Sequence, residues 1–182
     1  MRVVGPIFGL LTGLAVVTGS ASAALSVGAK APDFSAPATL GGKHFTFTLA
    51  KALKKGPVVL YFYPAAFTQG CTIEAHDFAE AIADYSKLGA SVIGVSHDDI
   101  ATLDKFSTTE CKKKFPVAGD ADQHVMKAYD AVMATHPEYA SRTSYVIAPT
   151  GEVLYTYTDS DPSMHVQNTL AAVKDWVAKH PK

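Results

Sequence analysis

The chain holds two thiols, Cys71 and Cys111. Cys71 stands where an apolar run, Val58-Val59-Leu60-Tyr61-Phe62-Tyr63, gives way to a segment with helical spacing over about 71–87. A cysteine in the first turn of a helix meets free N–H groups and the positive end of the helix dipole, and both favour an anion there. The thiolate, not the thiol, is the nucleophile, so this is where a reactive sulfur is expected. Thr68 comes three residues earlier, where its hydroxyl can point back at the sulfur or at a bound substrate. Pro64 stiffens the entry to the turn and offers no backbone donor. The stretch 63–74 therefore reads as a cradle for nucleophilic sulfur chemistry.

Several elements must position that cradle. Val58 to Tyr63 has the near-continuous apolar character of a central strand covered on both faces. In the helix that follows, Cys71, Ala75, Phe78, Ile82 and Tyr85 form one stripe, while Glu74, Asp77, Glu80, Asp84 and Lys87 lie largely elsewhere. Cys71 thus begins the core-facing stripe and its sulfur is expected to be partly buried. His76 is about 140° further round the helix and should not reach the sulfur, which argues against a Cys–His nucleophile pair.

The segment 24–37 reads as an extended lead-in, Gly41-Gly42 as a turn, and 44–49 as a short alternating strand with His44 on its polar side. Lys51 to Lys55 is basic and ends at Gly56-Pro57. A strand is expected at 90–96, followed by a helix capped by Asp98 or Asp99, with its apolar stripe on Ile100, Leu103 and Phe106 as far as about Glu110. Cys111 falls near that stripe's edge, and Lys112-Lys113-Lys114 suits a helix C-terminus. A short strand over 115–120, a short helix over 123–129 and a loop over 130–141 follow, with His124 and His136 structural or exposed. Strands at 142–147 and 153–157 form a hairpin, and a last helix begins at Asp161-Pro162-Ser163, with its stripe on Val166, Leu170, Val173 and Val177. The order is α/β, with a mixed sheet and a terminal hairpin.

At 182 residues the chain is the size of one domain. Its net charge of −1 gives no reason to expect a nucleic-acid partner. Residues 1–23 read as a secretory signal peptide. Met1-Arg2 is followed by an apolar stretch too short for a membrane span and by Ala21-Ser22-Ala23, a small-x-small cleavage site. The expectation is cleavage after Ala23, a single domain over 24–182, no stable membrane insertion afterwards, and export, to the periplasm if the source is a Gram-negative bacterium. In an oxidising compartment two cysteines also invite a structural disulfide, provided geometry permits.

Pro64, Thr68 and Cys71 match the Pro-x-x-x-Thr-x-x-Cys pattern of peroxiredoxins, and Cys71-Thr72-Ile73-Glu74-Ala75 continues the match. Gly28-x-x-Ala31-Pro32-Asp33-Phe34 resembles their N-terminal pattern. The chain looks most like the bacterioferritin-comigratory, or Q-type, subfamily. That resemblance implies a thioredoxin-like fold with an added N-terminal hairpin and a central sheet flanked by helices. It implies a thiol-dependent peroxidase acting on hydrogen peroxide or organic hydroperoxides through Cys71, for antioxidant defence. Arg142 matches the family's active-site arginine; its fork keeps its charge and donates to two partners at once. By resemblance Thr68 hydrogen-bonds the peroxide and Pro64 shields the sulfur. Glu74 is a first-turn carboxylate or an ion-pair partner. No haem, flavin, metal or other cofactor is required.

The sulfenic acid formed on Cys71 must be reduced. Many Q-type relatives carry a resolving cysteine five residues on, where this chain has His76. Others place it where this chain has Ser107. Cys111 is the internal candidate, and the alternative is a one-cysteine enzyme. Either route draws on a thiol reductant, a thioredoxin-like protein or a small thiol, and the resemblance suggests a monomer or weak dimer. The competing readings are an exported thiol–disulfide oxidoreductase, which would need a cysteine where Thr68 stands, and a metal-binding module using Cys71 with a histidine.

Overall fold

The computed structural model describes residue 1 and residues 24–181. The expected signal segment and its cleavage site fall among residues 1–23, which apart from Met1 lie outside the described residues.

Seven strands form one mixed sheet. They are β1 (Ser35–Leu40), β2 (Lys43–Thr48), β3 (Val58–Phe62), β4 (Ser91–Ser96), β5 (Val117–Gly119), β6 (Thr143–Ile147) and β7 (Val153–Thr158), in the order β2-β1-β5-β4-β3-β6-β7. β3, β4 and β5 run parallel, while β6 lies antiparallel to β3 and β7 antiparallel to β6. β1 and β2 form the N-terminal hairpin, and β1 joins the sheet antiparallel to β5. The helices are α1 (Leu49–Leu53), α2 (Gln69–Lys87), α3 (Ile100–Thr109), α4 (His124–Ala128) and α5 (His165–Lys179). This is the thioredoxin-like α/β fold with the added hairpin.

The centre of the sheet follows from the sequence of β3. All five of its residues are buried, and strand alternation sends them to two cores. Val59 and Tyr61, with Tyr63 just beyond the strand, pack with Phe78 of α2, Leu103 and Phe106 of α3 and Val173 of α5. Val58, Leu60 and Phe62 pack on the other face with Leu49 and Leu53 of α1 and Val125 and Met126 of α4. The Phe78 ring stacks on Tyr61 at 4.4 Å between centroids, which fixes α2 on the sheet.

The ends of α2 are set locally. Thr72 N–H bonds the Thr68 carbonyl at 2.9 Å, closing the first turn. At the other end Gly89 takes a positive φ of 73°, and Ala90 N–H reaches back to the Tyr85 carbonyl, the usual left-handed end of a helix. α3 is capped by Asp99, whose carboxylate accepts from Thr102 N–H at 2.7 Å.

The structure amends several expectations. Part of the extended lead-in, from Ser35, is already β1. The basic stretch 51–55 overlaps α1, whose apolar Leu49 and Leu53 are buried under the sheet. α3 ends at Thr109, so Cys111 and the lysine triplet follow it, with Lys112 and Lys113 both in left-handed backbone. A 3-10 turn, Pro162–Met164, precedes α5.

Candidate active site

Cys71 is the third residue of α2, directly behind the loop that leaves β3. It is 1% exposed. The loop is held from the neighbouring strand's exit. Asp98 Oδ2 accepts from Ala66 N–H at 2.8 Å and from Ser96 Oγ at 2.7 Å. His97 Nδ1 donates to the Pro64 carbonyl at 3.2 Å. Phe67 carries a φ of 65°, rare for a bulky residue, and is held there by an edge contact with Phe106 at 5.3 Å. Thr68 is the N-cap of α2, yet its hydroxyl does not cap the helix; it donates to the Ala65 carbonyl at 3.0 Å. Its lone pairs are left to accept.

Arg142 precedes β6 immediately, and β6 pairs with β3, so the topology brings it to Cys71 from across the sheet end. Its Nη2 donates to Cys71 Sγ at 3.6 Å. The guanidinium cannot swing freely: Nη1 donates to Glu74 Oε2 and Nε donates to the Ser160 carbonyl at 3.0 Å. Gly70 completes the fit. A Cβ at Gly70 would stand 2.8 Å from Arg142 Nη2, so any larger residue there would force the guanidinium to shift from its position over the first turn of α2.

Glu74 corrects the helical reading. It is fully buried, although helix spacing alone placed it with the polar residues. The start of α2 is covered on a second side, by Arg142 and α5, so a residue off the main stripe is buried as well. Burial pushes the Glu74 carboxyl up to about 8, against the pull of Arg142. Burial acts to lower Arg142, yet Glu74 and Cys71 together hold its side chain above its ordinary value.

His165, the first residue of α5, faces Glu74 from the far side and is also fully buried. Its Nδ1 is 2.8 Å from Ser144 Oγ and 3.6 Å from Glu74 Oε1, and its Nε2 is 3.1 Å from the Asp159 carbonyl. Burial holds it below its ordinary value. Gly70, Ser144 and His165 are site residues that sequence reasoning passed over. His165, Thr169 and Val173 are buried at four-residue spacing, and that signal extends the α5 stripe back to the histidine.

Pro64 is half-buried in the loop that precedes Cys71. His76 does point away from the sulfur, and its Nε2 pairs with Glu110 Oε2 at 2.8 Å. Cys111 is fully buried, free, and in the same apolar cluster as Cys71; burial pushes its thiol up. His44 is exposed and pairs with Asp104 at 2.7 Å. Among the described residues, no group of three or more His, Cys, Asp or Glu is arranged to hold a metal ion.

A buried cysteine at a helix start, with a fixed guanidinium on its sulfur, sits inside the span matched by a known family. The AhpC/TSA family model matches residues 27–156. The chain belongs to the AhpC/TSA family. Peroxiredoxin Bcp of Xanthomonas campestris pv. campestris is 30% identical over 152 residues, 79% of this chain and 91% of that protein. The chloroplastic peroxiredoxin Q of Triticum aestivum is 34% identical over 162 residues, 88% of this chain and 72% of that protein. Among solved structures, peroxidoxin BcpB from Mycobacterium tuberculosis superposes with a TM-score of 0.74 at 28% identity, covering 82% of this chain and 96% of that one. The chain is thus a peroxiredoxin-type thiol peroxidase with a catalytic cysteine, related to the Bcp and Q groups.

Proposed function

We propose that Cys71 is the peroxidatic cysteine of this peroxiredoxin, with hydrogen peroxide and organic hydroperoxides as substrates. The observation that carries this reading is the Arg142 Nη2–Cys71 Sγ contact at 3.6 Å, made by a guanidinium already pinned by Glu74 and Ser160. The Cys71 thiolate attacks one peroxide oxygen, the O–O bond breaks, and the departing alkoxide or hydroxide takes a proton. The products are Cys71 sulfenic acid and an alcohol or water. Arg142 and the open N–H groups at the start of α2 face the charge as it moves from sulfur to the leaving oxygen. Thr68 Oγ1, its proton given to Ala65, accepts from the peroxide O–H and fixes its approach. Pro64 covers the sulfur without adding a competing donor.

Cys111 is the resolving cysteine in this reading. Its sulfur attacks the sulfenic sulfur, water leaves, and a Cys71–Cys111 disulfide forms, which an external thiol then reduces. Both thiols are free and buried in the structure, so the turn following α3 and the first turn of α2 must open for the bond to form. The consecutive left-handed residues Lys112 and Lys113 mark where the chain departs from α3. The reductant is a thioredoxin-like protein or a small thiol, the protein acts as a monomer or weak dimer, and residues 1–23 direct its export.

The test is intact mass after one equivalent of hydrogen peroxide on the pre-reduced protein. Loss of two hydrogens in the wild type, with gain of one oxygen in Cys111→Ser, supports both roles. Gain of one oxygen in both proteins keeps Cys71 and removes Cys111. No change in either overturns the assignment.

A further inference from the structure

Resting on the reading of Cys71 as the nucleophile, we propose that His165 is a positioning residue that acts through Glu74 to leave the Arg142 charge on the Cys71 sulfur. Glu74 has an unmet hydrogen-bonding position. Its Oε2 receives Arg142, but Oε1 is buried and has no hydrogen-bond partner. A buried carboxylate oxygen without a donor is costly. The group facing it is His165 Nδ1, at 3.6 Å.

The tautomer of His165 can be read from its contacts. Nε2 lies 3.1 Å from the Asp159 carbonyl, which can only accept, so Nε2 carries the hydrogen. Nδ1 then presents a lone pair and accepts from Ser144 Oγ at 2.8 Å. A lone pair facing an ionised Oε1 would be repulsive. A proton on Oε1 turns the same contact into an O–H donor aimed at the Nδ1 lone pair, which it shares with the Ser144 hydroxyl. The arrangement therefore favours a neutral Glu74. The raised Glu74 carboxyl and the lowered His165 imidazole point the same way.

The consequence reaches the sulfur. When Glu74 is ionised it neutralises Arg142, and the guanidinium has little net charge left for Cys71. When the proton sits between Glu74 and His165, Arg142 keeps its hydrogen bond to Oε2 while its charge faces the sulfur unshared. The charged and titratable groups around this proton are Arg142 before β6, Asp77 and Cys71 on α2, Tyr61 of β3, and Asp159 and Asp161 in the segment before α5, with the Tyr157 ring of β7 against the imidazole at 4.8 Å.

The test reads the pH dependence of Cys71 alkylation by iodoacetamide in the folded, reduced protein carrying Cys111→Ser. It needs no peroxidase turnover, so it stands apart from the mass experiment. His165→Gln keeps a donor for Asp159 but removes the acceptor at Nδ1. Its alkylation midpoint should rise by about one unit, which slows alkylation about tenfold at any pH below both midpoints. His165→Asn, which can place an acceptor near Nδ1, should stay within about twofold of the wild type on the same scale. Glu74→Gln is the second arm. Its amide oxygen accepts from Arg142 and its NH2 donates to His165, imitating the protonated carboxyl, so its midpoint should lie at or below that of the wild type. A folded His165→Gln with an unmoved profile overturns the proposal. If that variant does not fold, Glu74→Gln decides alone: a midpoint above the wild type overturns the proposal, and one at or below it upholds the proposal.

Discussion

At the residue scale, the site is a contest over one guanidinium. Arg142 has three partners, Cys71, Glu74 and the Ser160 carbonyl, and each fixes a different nitrogen. Arg142→Gln removes the charge and the fork, leaving Glu74 Oε2 without the Nη1 donor. Loss of one such pre-aligned donor costs about 10²–10³-fold in rate, so peroxide reduction should fall by that order in steady-state assay. Gly70→Ala tests the same geometry by steric means. The new methyl lies where Nη2 passes, and the guanidinium must shift to accommodate it. Since α2 accepts alanine readily, activity should fall sharply while the thermal midpoint changes little. Wild-type activity in Gly70→Ala would show that the Nη2 contact is dispensable.

At the element scale, α2 is a helix with two kinds of buried face. Its apolar stripe, with Phe78 and Tyr85, anchors it to the sheet and to α5, where Tyr85 Oη bonds Thr169 at 2.8 Å. Its first turns carry the sulfur and Glu74 into a polar pocket. The stripe was legible from spacing, and so was the outward turn of His76. Glu74 was not. Period alone cannot tell a solvated flank from one covered by a distant strand end and a distant helix, because that cover is a long-range event. The same holds for His165 and Ser144, which gain meaning only when β6 and α5 close on α2. Boundaries such as those of α1 were missed because five residues carry too little periodicity.

The buried carboxyl gives this element a pH signature. Glu74 is raised from its ordinary 4.5 to about 8, so the folded state binds its proton more tightly than the unfolded chain does. The stability it contributes is full below 4.5 and is lost as pH rises towards about 8. His165 has the opposite sign. It is lowered from 6.5, so its contribution is present above that value and is lost as pH falls below it. In thermal melts, the wild type should lose ground relative to Glu74→Gln as pH rises through the Glu74 window. A difference independent of pH would contradict the raised carboxyl.

At the scale of the whole molecule, the α/β order and the β6–β7 hairpin were readable from strong local signals, a near-continuous apolar β3 and Pro149-Thr150-Gly151, whereas the N-terminal hairpin was expected from the family resemblance. The strand order was not readable, since pairing β1 against β5 depends on contacts about eighty residues apart. The place of Cys71 between β3 and α2 was visible in the sequence, and Arg142 was singled out by the family resemblance. Among the described residues no helix is long and apolar enough to cross a membrane. The export proposal rests on the sequence of residues 1–23 alone, and it expects N-terminal sequencing of the secreted product to begin at Ala24. A product that retains Met1 would contradict it.

The central claim is that Cys71 is the sulfur that peroxide oxidises. The most direct measurement is dimedone trapping of the pre-reduced protein during exposure to one equivalent of hydrogen peroxide, followed by peptide mapping. The adduct is expected on the peptide containing Cys71, lost in Arg142→Gln at short exposure and never found first at Cys111. An adduct that forms first on Cys111, or a Cys71 that stays unlabelled while peroxide is consumed, would contradict the claim.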